Sequence, residues 1–316
     1  MKPTDLHNRL DAYLSLREAS GFSTCTYRKR LQDFANYLEN HGNGNPIHAQ
    51  LAVDWACCTS ATCGVPGQAA RLSLARGFLT YLKASLPETE IPDKSLLASP
   101  RRPQPYIFSP TEISRLLEES ARMGPRNSLR PHTNQTFFGL LASTGLRSSE
   151  AAKLLVSDVL IDKQPPRLLI RLTKFKKSRW VPLHNTVADQ LRRYDRLRCQ
   201  MNYDALSDNF FVSERGRQID LFNLRYTFRC LVNRLGLKPH PGQRHPTLHS
   251  FRHTFAVNRL RQWYETGADV RALLPNLSVY LGHIDLSGSF WYLTATPELL
   301  GAAAQLFESY IVERRD

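Results

Sequence analysis

The sequence predicts a mainly α-helical protein with a small β element, divided into two domains. Three observations support this prediction. The chain has 316 residues, more than one compact domain usually contains. Apolar side chains recur at helical spacing through most of the chain. Two short segments, 168–172 and 179–183, instead show the character of strands, and we expect them to form a hairpin or small sheet.

The first domain is predicted to span residues 1–90 and to be all-helical. Apolar side chains follow helical spacing from about residue 6 to residue 86. Ser23 or Thr24 stands where it can cap the second helix, and the glycine-, asparagine- and proline-rich segment 42–46 is expected to end it.

Residues 91–107 are predicted to be a linker. This segment is rich in proline and carries the basic residues Lys94, Arg101 and Arg102, a composition typical of an extended connection. The second domain then spans 108–316. It is expected to begin with a helix capped by Ser109, to carry lysines at the hairpin tip, and to return to helices up to its C-terminal end.

The charge balance favours a polyanionic partner. Lysine and arginine number 42 against 28 aspartate and glutamate, a formal charge of +14. Basic side chains that neutralise phosphates release counterions, so DNA or RNA is the expected partner. An anionic membrane is disfavoured because no apolar run reaches the ~20 residues that a spanning helix needs. The N-terminal residues do not resemble a signal peptide, so we expect a cytoplasmic protein.

The six cysteines are sparse and predict reduced thiols rather than a disulfide framework. Cys57, Cys58 and Cys63 lie close in sequence. No second cysteine or histidine pair follows at zinc spacing, so we expect buried structural thiols rather than a metal site.

The segment 144–150 reads TGLRSSE. A planar guanidinium can hold two phosphate oxygens at once, which makes Arg147 a candidate phosphate ligand. Gly145 is expected to let the turn approach a ligand closely. Glu150, three positions after Arg147, is expected to orient the arginine.

The segment 248–256 reads LHSFRHTFA. His249 and Arg252 are three positions apart and would share one face of a helix capped by Thr247. The alternative is a structural histidine beside a solvated arginine. We expect the adjacent His253 to serve packing or hydrogen bonding.

A third segment, LGH at 281–283, places His283 nine positions before Tyr292. A phenol is a poor nucleophile at neutral pH unless nearby cations stabilise the phenolate. Arg147, Arg252 and His283 would supply that charge. Alternatively, Tyr292 belongs to an aromatic core cluster with its neighbours Phe290 and Trp291.

The order and spacing of these segments resemble those of the tyrosine recombinase, or phage integrase, family, and the end of the chain is more similar to its transposon-borne branch. The resemblance implies a two-domain DNA clamp, with a helical core-binding domain and a catalytic domain. It also implies a DNA strand transferase that forms a 3′-phosphotyrosine intermediate and needs no metal or other cofactor. The site residues it implies are Arg147, Lys174, His249, Arg252, His283 and Tyr292.

Lys174 aligns with the family's strand-end lysine, and the resemblance implies that it is the general acid. Lys176 and Lys177 are alternatives for that role. The DNA-contacting residues that we expect are Lys176, Lys177, Arg179, Arg101 and Arg102. Expected partners are double-stranded DNA at the nucleoid, further copies of the chain as a tetramer on paired sites, and companion recombinases.

Other classes of protein remain open at this point. A DNA-binding accessory protein could keep the basic surface without catalysis, and a type IB topoisomerase would share the chemistry without paired sites. A helix-turn-helix regulator would also suit a basic helical chain. The sequence identifies no target site and does not distinguish integration from excision or inversion.

Overall fold

The structure, a computed structural model, describes the chain except for residues 1–2, 23, 26, 43–45, 59–63, 97–102, 126, 172–177, 202–206, 283–291 and 293–316. The chain divides into two compact units, Met1–Arg102 and Pro103–Asp316. Where it is described, it is mainly helical with a small antiparallel sheet, as predicted. In the described part, no helix is long and apolar enough to cross a membrane.

The regular secondary structure of unit one is helical in its described part. Its helices are α1 (Pro3–Ala19), α2 (Arg28–His41), α3 (Ala49–Cys57) and α4 (Val65–Lys83). Their apolar faces meet in one core, in which Phe34, Trp55 and Phe78 are at most 1% exposed. Helical periodicity predicted these elements because each helix buries one apolar stripe.

The expected cap of α2 at Ser23 or Thr24 is wrong for Thr24, and Ser23 lies outside the described residues. The helix begins at Arg28, with Tyr27 at the N-cap position. The Thr24 hydroxyl instead donates to Glu18, and its carbonyl accepts from the backbone N–H groups of Tyr27 and Arg28 at 3.1 and 2.9 Å. An extra turn therefore separates Thr24 from the helix.

Unit two contains seven α-helices, one 3-10 helix (Val156–Asp158) and three strands among its described residues. The helices are α5 (Pro110–Ser120), α6 (Arg130–Thr144), α7 (Ser148–Ala152), α8 (Asn185–Gln200), α9 (Leu221–Arg234), α10 (Leu248–Glu265) and α11 (Val270–Leu281). The start of α5 is as predicted, because Ser109 Oγ accepts from Glu112 N at 3.2 Å and Glu112 Oε2 accepts from Ser109 N at 2.8 Å. Such a capping box is purely local, so the sequence is enough to predict it.

The sheet has three antiparallel strands in the order β1 (Val159–Leu160), β2 (Arg167–Ile170) and β3 (Arg179–Pro182). The predicted pairing of the two longer strands is confirmed, with Leu168 opposite Val181 and both side chains buried. Strand β1 was not predicted, because two residues are too few to show alternation. The lysine-rich tip, 172–177, lies outside the described residues.

The core of unit two is built around α10. Phe251 of this helix packs against Phe108, Phe138 and Phe228, with ring centroids 5.0 to 6.3 Å apart. Phe108 N also donates to Thr254 Oγ1 at 2.9 Å. These contacts fix the first two turns of α10 and thereby the polar side chains that they carry.

Part of the segment expected to be a linker belongs to this unit. Tyr106 is 7% exposed, and its hydroxyl donates to Glu112 at 2.6 Å. Gln104 forms a parallel bridge with Gln243. Proline content indicates an extended backbone but does not reveal that an extended segment packs against the domain that follows.

Candidate active site

Arg147 follows directly from the end of α6 and stands at the N-cap of α7. Its Nη1 donates to Glu150 Oε1 at 2.8 Å, and its backbone N donates to Glu150 Oε2 at 3.1 Å. The predicted contact between Arg147 and Glu150 is therefore present. One carboxylate fixes both the main chain and the guanidinium of this candidate phosphate ligand.

Gly145 ends α6 in the left-handed region, with φ at +63°. A Cβ atom at this position would lie 2.7 Å from Phe255 Cδ1. We expected glycine here for close approach to a ligand, but these contacts give a different reason. The absent side chain lets the turn between α6 and α7 lie against α10.

Arg252 is 1% exposed, so the alternative of a solvated surface arginine is wrong. Its Nη1 donates to Gly145 O at 3.1 Å and its Nη2 to Leu281 O at 2.7 Å. Burial, together with the charge of Arg147, lowers the pKa of Arg252 to about 10, although Tyr292 and Glu150 act in the opposite direction. Burial of this guanidinium is thus costly, and a bound anion would offset that cost.

Three arginines donate to three consecutive carbonyl groups at the C-terminal end of α11. Tyr280 O accepts from Arg179 Nε at 2.8 Å. Leu281 O accepts from Arg252, as described above, and Gly282 O accepts from Arg147 Nη2 at 3.0 Å. A helix C-terminus has unpaired carbonyl groups and partial negative charge, so it is a suitable partner for guanidinium groups. Arg147, Arg252 and Arg179 are gathered at this point, immediately before His283.

Arg179 also pairs with Glu150, so its side chain lies within the site. Its Nη1 and Nη2 donate to the two carboxylate oxygens of Glu150 at 3.1 and 2.8 Å, and the two side chains are 10% and 7% exposed. Burial alone would raise the pKa of the Glu150 carboxyl. Hydrogen bonding and charge from Arg179, together with Arg147, outweigh that effect and hold the pKa below its usual value.

The sequence contained a signal for this inward position of Arg179. Side chains two positions apart share one face of a strand, and Val181, which is fully buried, lies on the same face of β3 as Arg179. Trp180, between them, is 51% exposed. The alternation within β3 could therefore have predicted that Arg179 points inward and does not belong with the residues expected to contact DNA.

Tyr292 lies against α10 and is 3% exposed. Its hydroxyl is 3.1 Å from His253 Nδ1, and the two ring centroids are 5.6 Å apart. His253 in turn meets His249 edge to face, with centroids 4.6 Å apart, and His249 is exposed. The tyrosine belongs to the apolar cluster of α10 and α11, yet its hydroxyl meets a histidine. Phe290 and Trp291, the partners expected in the alternative aromatic cluster, lie outside the described residues, and the role of Tyr292 as a nucleophile stays a prediction.

Six predicted residues lie outside the described part of the chain: Lys174, Lys176, Lys177, His283, Arg101 and Arg102. The structure brings together the other predicted site residues, which are Arg147, Glu150, Arg179, Arg252 and Tyr292, with His249 adjoining through His253. In the described ranges, no cluster of three or more histidine, cysteine, aspartate or glutamate residues is arranged to hold a metal ion.

Comparison with known proteins identifies the family. The sequence profile of the phage integrase family matches residues 107–298. A protein of Sinorhizobium fredii (strain NBRC 101917 / NGR234) named as an integrase/recombinase, y4rB, is 39% identical over 303 residues, which cover 94% of this chain and 95% of the relative.

Solved structures show the same fold. The XerH site-specific recombinase bound to a palindromic difH substrate has a TM-score of 0.68 at 20% identity, covering 90% of this chain and 79% of that chain. The Tn1549 transposon integrase in complex with transposon right-end DNA has a TM-score of 0.63 at 15% identity, covering 95% and 99%. A lambda integrase tetramer bound to a Holliday junction has a TM-score of 0.59 at 14% identity, covering 85% and 75%. With the profile match and the S. fredii relative, the arginine cluster and Tyr292 lead to one conclusion: this chain belongs to the phage integrase family and is a tyrosine-type site-specific recombinase.

Proposed function

We propose that this recombinase cuts and rejoins double-stranded DNA through a covalent bond to Tyr292. The observation that carries the proposal is that the Tyr292 hydroxyl contacts α10, the helix that carries Arg252. Arg252 and Arg147 both donate to carbonyl oxygens at the end of α11. The phenol oxygen attacks a DNA phosphorus, and the bond from phosphorus to the 5′ oxygen breaks. The products are a 3′-phosphotyrosine and a 5′ hydroxyl, and attack by another strand's 5′ hydroxyl reverses the step.

The two arginines would stabilise the negative charge that develops on the phosphate. A guanidinium has five N–H donors, and the side chains of Arg147 and Arg252 each make two of the hydrogen bonds described above. Further N–H groups can therefore donate to a phosphate oxygen, which is a strong acceptor because it carries charge. Fixed donors in a buried site need no rearrangement as the reaction proceeds, which is why they contribute most of the stabilisation in such sites. Burial of Arg252 and ion pairing of Arg147 with Glu150 support this assignment.

The departing 5′ oxygen needs a proton, and we keep Lys174 as the proposed general acid, with Lys176 and Lys177 as alternatives. His283 directly follows Gly282, whose carbonyl oxygen Arg147 contacts, so we keep it as a proposed phosphate ligand. His249 is the second proposed histidine of the site.

We revise the proposed role of Arg179. Its guanidinium donates to Glu150 and to Tyr280 O, and its side chain is largely buried. We therefore propose that it positions Glu150 and the end of α11 rather than contacting DNA. Arg101, Arg102, Lys176 and Lys177 remain the proposed DNA contacts outside the site.

Recombination exchanges strands between two duplexes, so we propose that four copies of the chain act together on paired sites. Similarity to a transposon integrase that was solved with transposon-end DNA, and to an integrase solved as a tetramer, supports this assembly and a role in integration or transposition of a mobile element. The formal charge of +14 suits a protein that works on DNA. We propose that it does so in the cytoplasm, at the nucleoid, and that companion recombinases are possible partners.

A trapping experiment tests the proposed function. Wild type and Tyr292→Phe are incubated in EDTA with nicked suicide DNA that carries the ends of the native element, and the products are separated on denaturing gels. We expect a covalent adduct with wild type alone. A Tyr292→Phe variant that binds the DNA and still forms the adduct would exclude Tyr292 as the nucleophile. If neither protein forms an adduct despite binding, an accessory role in DNA binding would be favoured instead.

A further inference from the structure

His253 provides a nitrogen base at the candidate nucleophile. Its Nδ1 lies 3.1 Å from the Tyr292 hydroxyl oxygen, within the range of a hydrogen bond. The tyrosine is 3% exposed, so its phenol is largely shielded from solvent. The imidazole is therefore in contact with the phenol, and its Nδ1 can accept the phenol's proton when the ring's own proton lies on Nε2.

The helix that carries His253 is fixed on both sides of this residue. Arg252, directly before it, is anchored through Gly145 O and Leu281 O. Thr254, directly after it, donates to Ser250 O at 2.9 Å and accepts from Phe108 N. A catalytic group is effective when its supporting residues hold its geometry, and α10 meets this condition.

The chemistry of a phenol explains why a base is needed. An unperturbed tyrosine has a pKa of about 10 and an unperturbed histidine one of about 6.5. At neutral pH an unperturbed phenol is therefore protonated, whereas an unperturbed imidazole is largely neutral and able to accept a proton. Proton removal by an adjacent base is the usual way in which such a nucleophile is activated.

We propose that His253 is the general base that accepts the Tyr292 proton when this tyrosine attacks DNA. The inference rests on the proposed function of Tyr292. It adds a residue to the site residues expected from the family resemblance, among which His249 and His283 were the histidines.

His253 takes up the proton as the phenol oxygen of Tyr292 attacks phosphorus. The bond between the phenol oxygen and its hydrogen breaks as the bond from that oxygen to phosphorus forms, and the proton passes to His253 Nδ1. The neutral histidine starts with its proton on Nε2 and becomes an imidazolium. The departing 5′ oxygen takes a different proton, from the lysine proposed as general acid. On rejoining, the imidazolium returns its proton to the phenol oxygen as the link to phosphorus breaks.

Single-turnover cleavage of suicide DNA by the full-length protein tests this role. The key variant is His253→Asn, because a side-chain amide can still hydrogen-bond near the Nδ1 position but does not accept a proton at neutral pH. Its cleavage rate should fall by about 10²- to 10⁴-fold, the usual contribution of a general base. His253→Gln serves as a second variant if the asparagine variant does not fold, which thermal unfolding reports.

A second readout separates proton transfer from packing. Each protein is also made with a fluorinated tyrosine at position 292, whose more acidic phenol depends less on a base. We expect this change to speed His253→Asn by at least about tenfold and to alter wild type little, because the base already serves wild type. A purely structural role for His253 would leave the defect unchanged by fluorination.

Three results would overturn the proposal. In the first, His253→Asn cleaves within about threefold of wild type, so the hydrogen bond suffices without proton transfer. In the second, the variant is slow but fluorination does not restore it. Both results leave the proposed function intact if adduct formation still requires Tyr292. In the third, the adduct survives Tyr292→Phe, which overturns the proposed function together with the role of His253.

Discussion

Arg179 and Glu150 form a two-point ion pair that joins β3 to α7. Both guanidinium Nη groups meet the carboxylate, at 3.1 and 2.8 Å, and Arg179 Nε reaches Tyr280 O on α11. A Cβ atom on Gly282 would lie 2.7 Å from Arg179 Nη1, so this end of α11 packs directly on the pair. Three elements that carry or adjoin site residues are thus held together by one buried arginine.

Loss of this arginine should destabilise the protein. We expect Arg179→Gln to lower the free energy of unfolding by about 3–5 kcal/mol, because breaking a buried ion pair leaves an uncompensated charge. Glu150 keeps its contacts with Arg147, which places the expected value towards the lower end. Urea unfolding followed by circular dichroism measures the change.

Arg192 is a matched control for this prediction. It forms ion pairs with Asp162 and Asp189, but the three side chains are 32%, 86% and 61% exposed. Exposed pairs contribute about 0–1 kcal/mol, so Arg192→Gln should change stability little. Equal losses in the two variants would contradict the assignment of a buried, stabilising pair to Arg179.

The sequence predicted those parts of the fold that depend on local signals. The cap of α5 lies within four residues, and the strand pairing of β2 with β3 follows from alternation and a short connection. The two-residue strand β1 and the packing of Tyr106 carry no comparable local signal, and neither was predicted.

Within the candidate site, the sequence predicted the short-range contact of Arg147 with Glu150 but not the contacts between distant parts of the chain. Arg147, Arg252 and Tyr292 were chosen from motifs that resemble a family, whereas the hydrogen bond from Arg179 to Tyr280 O joins positions 101 residues apart. No periodicity encodes such a contact, because it depends on how α11 packs on the sheet. We expected His253 to pack or to form a hydrogen bond, but its partner Tyr292 is 39 positions away and was not predicted.

The stabilising effect of Glu150 should depend on pH. Its pKa in the folded protein is below its usual value because hydrogen bonding and charge from Arg179 and Arg147 outweigh its burial. A carboxyl with a lowered folded pKa stabilises the protein above its unfolded pKa, about 4.3 for glutamate, and loses this effect as pH falls through the folded pKa. The stability gap between wild type and Glu150→Gln should therefore narrow as pH falls below about 5.

Urea unfolding at a series of pH values from neutral downwards measures this gap. Glu118→Gln removes an exposed carboxylate of α5 and controls for the loss of one negative charge. A gap between wild type and Glu150→Gln that stays constant down to the acid limit of folding would show that ionisation of Glu150 does not contribute.

Arg252→Lys should abolish most cleavage while leaving the protein folded. The planar guanidinium donates at once to Gly145 O and Leu281 O, and an ammonium group has a different donor geometry. We expect the single-turnover cleavage rate to fall by at least about 10²-fold, the usual cost of one misplaced charge-stabilising donor. Binding to the same DNA, measured by fluorescence anisotropy, should change little because contacts elsewhere dominate affinity.

The control for this substitution is Arg259→Lys, which changes an exposed arginine on the same helix. Its cleavage rate should match that of wild type. If Arg252→Lys also cleaved within about threefold of wild type, position 252 would need only positive charge, and the fork geometry would not matter.

Gly145→Ala should cost more stability than the same change at another left-handed glycine. Gly145 and Gly236 have similar φ angles, +63° and +66°, but an added Cβ would meet Phe255 at position 145 and nothing within 4 Å at position 236. Both changes carry the conformational cost of about 1–2 kcal/mol for a left-handed residue. Only Gly145→Ala adds a steric clash, and it would displace the carbonyl oxygen that accepts from Arg252.

Thermal and urea unfolding of both variants, with cleavage rates, test this difference. We expect Gly236→Ala to cleave at the wild-type rate and Gly145→Ala to cleave more slowly. The Phe255→Ala substitution removes the ring that the new methyl group would meet. The double variant should therefore be more stable than the sum of the two single changes predicts, because residues in contact couple. Strict additivity, or equal costs at the two glycines, would mean that contact with α10 does not explain the glycine at position 145.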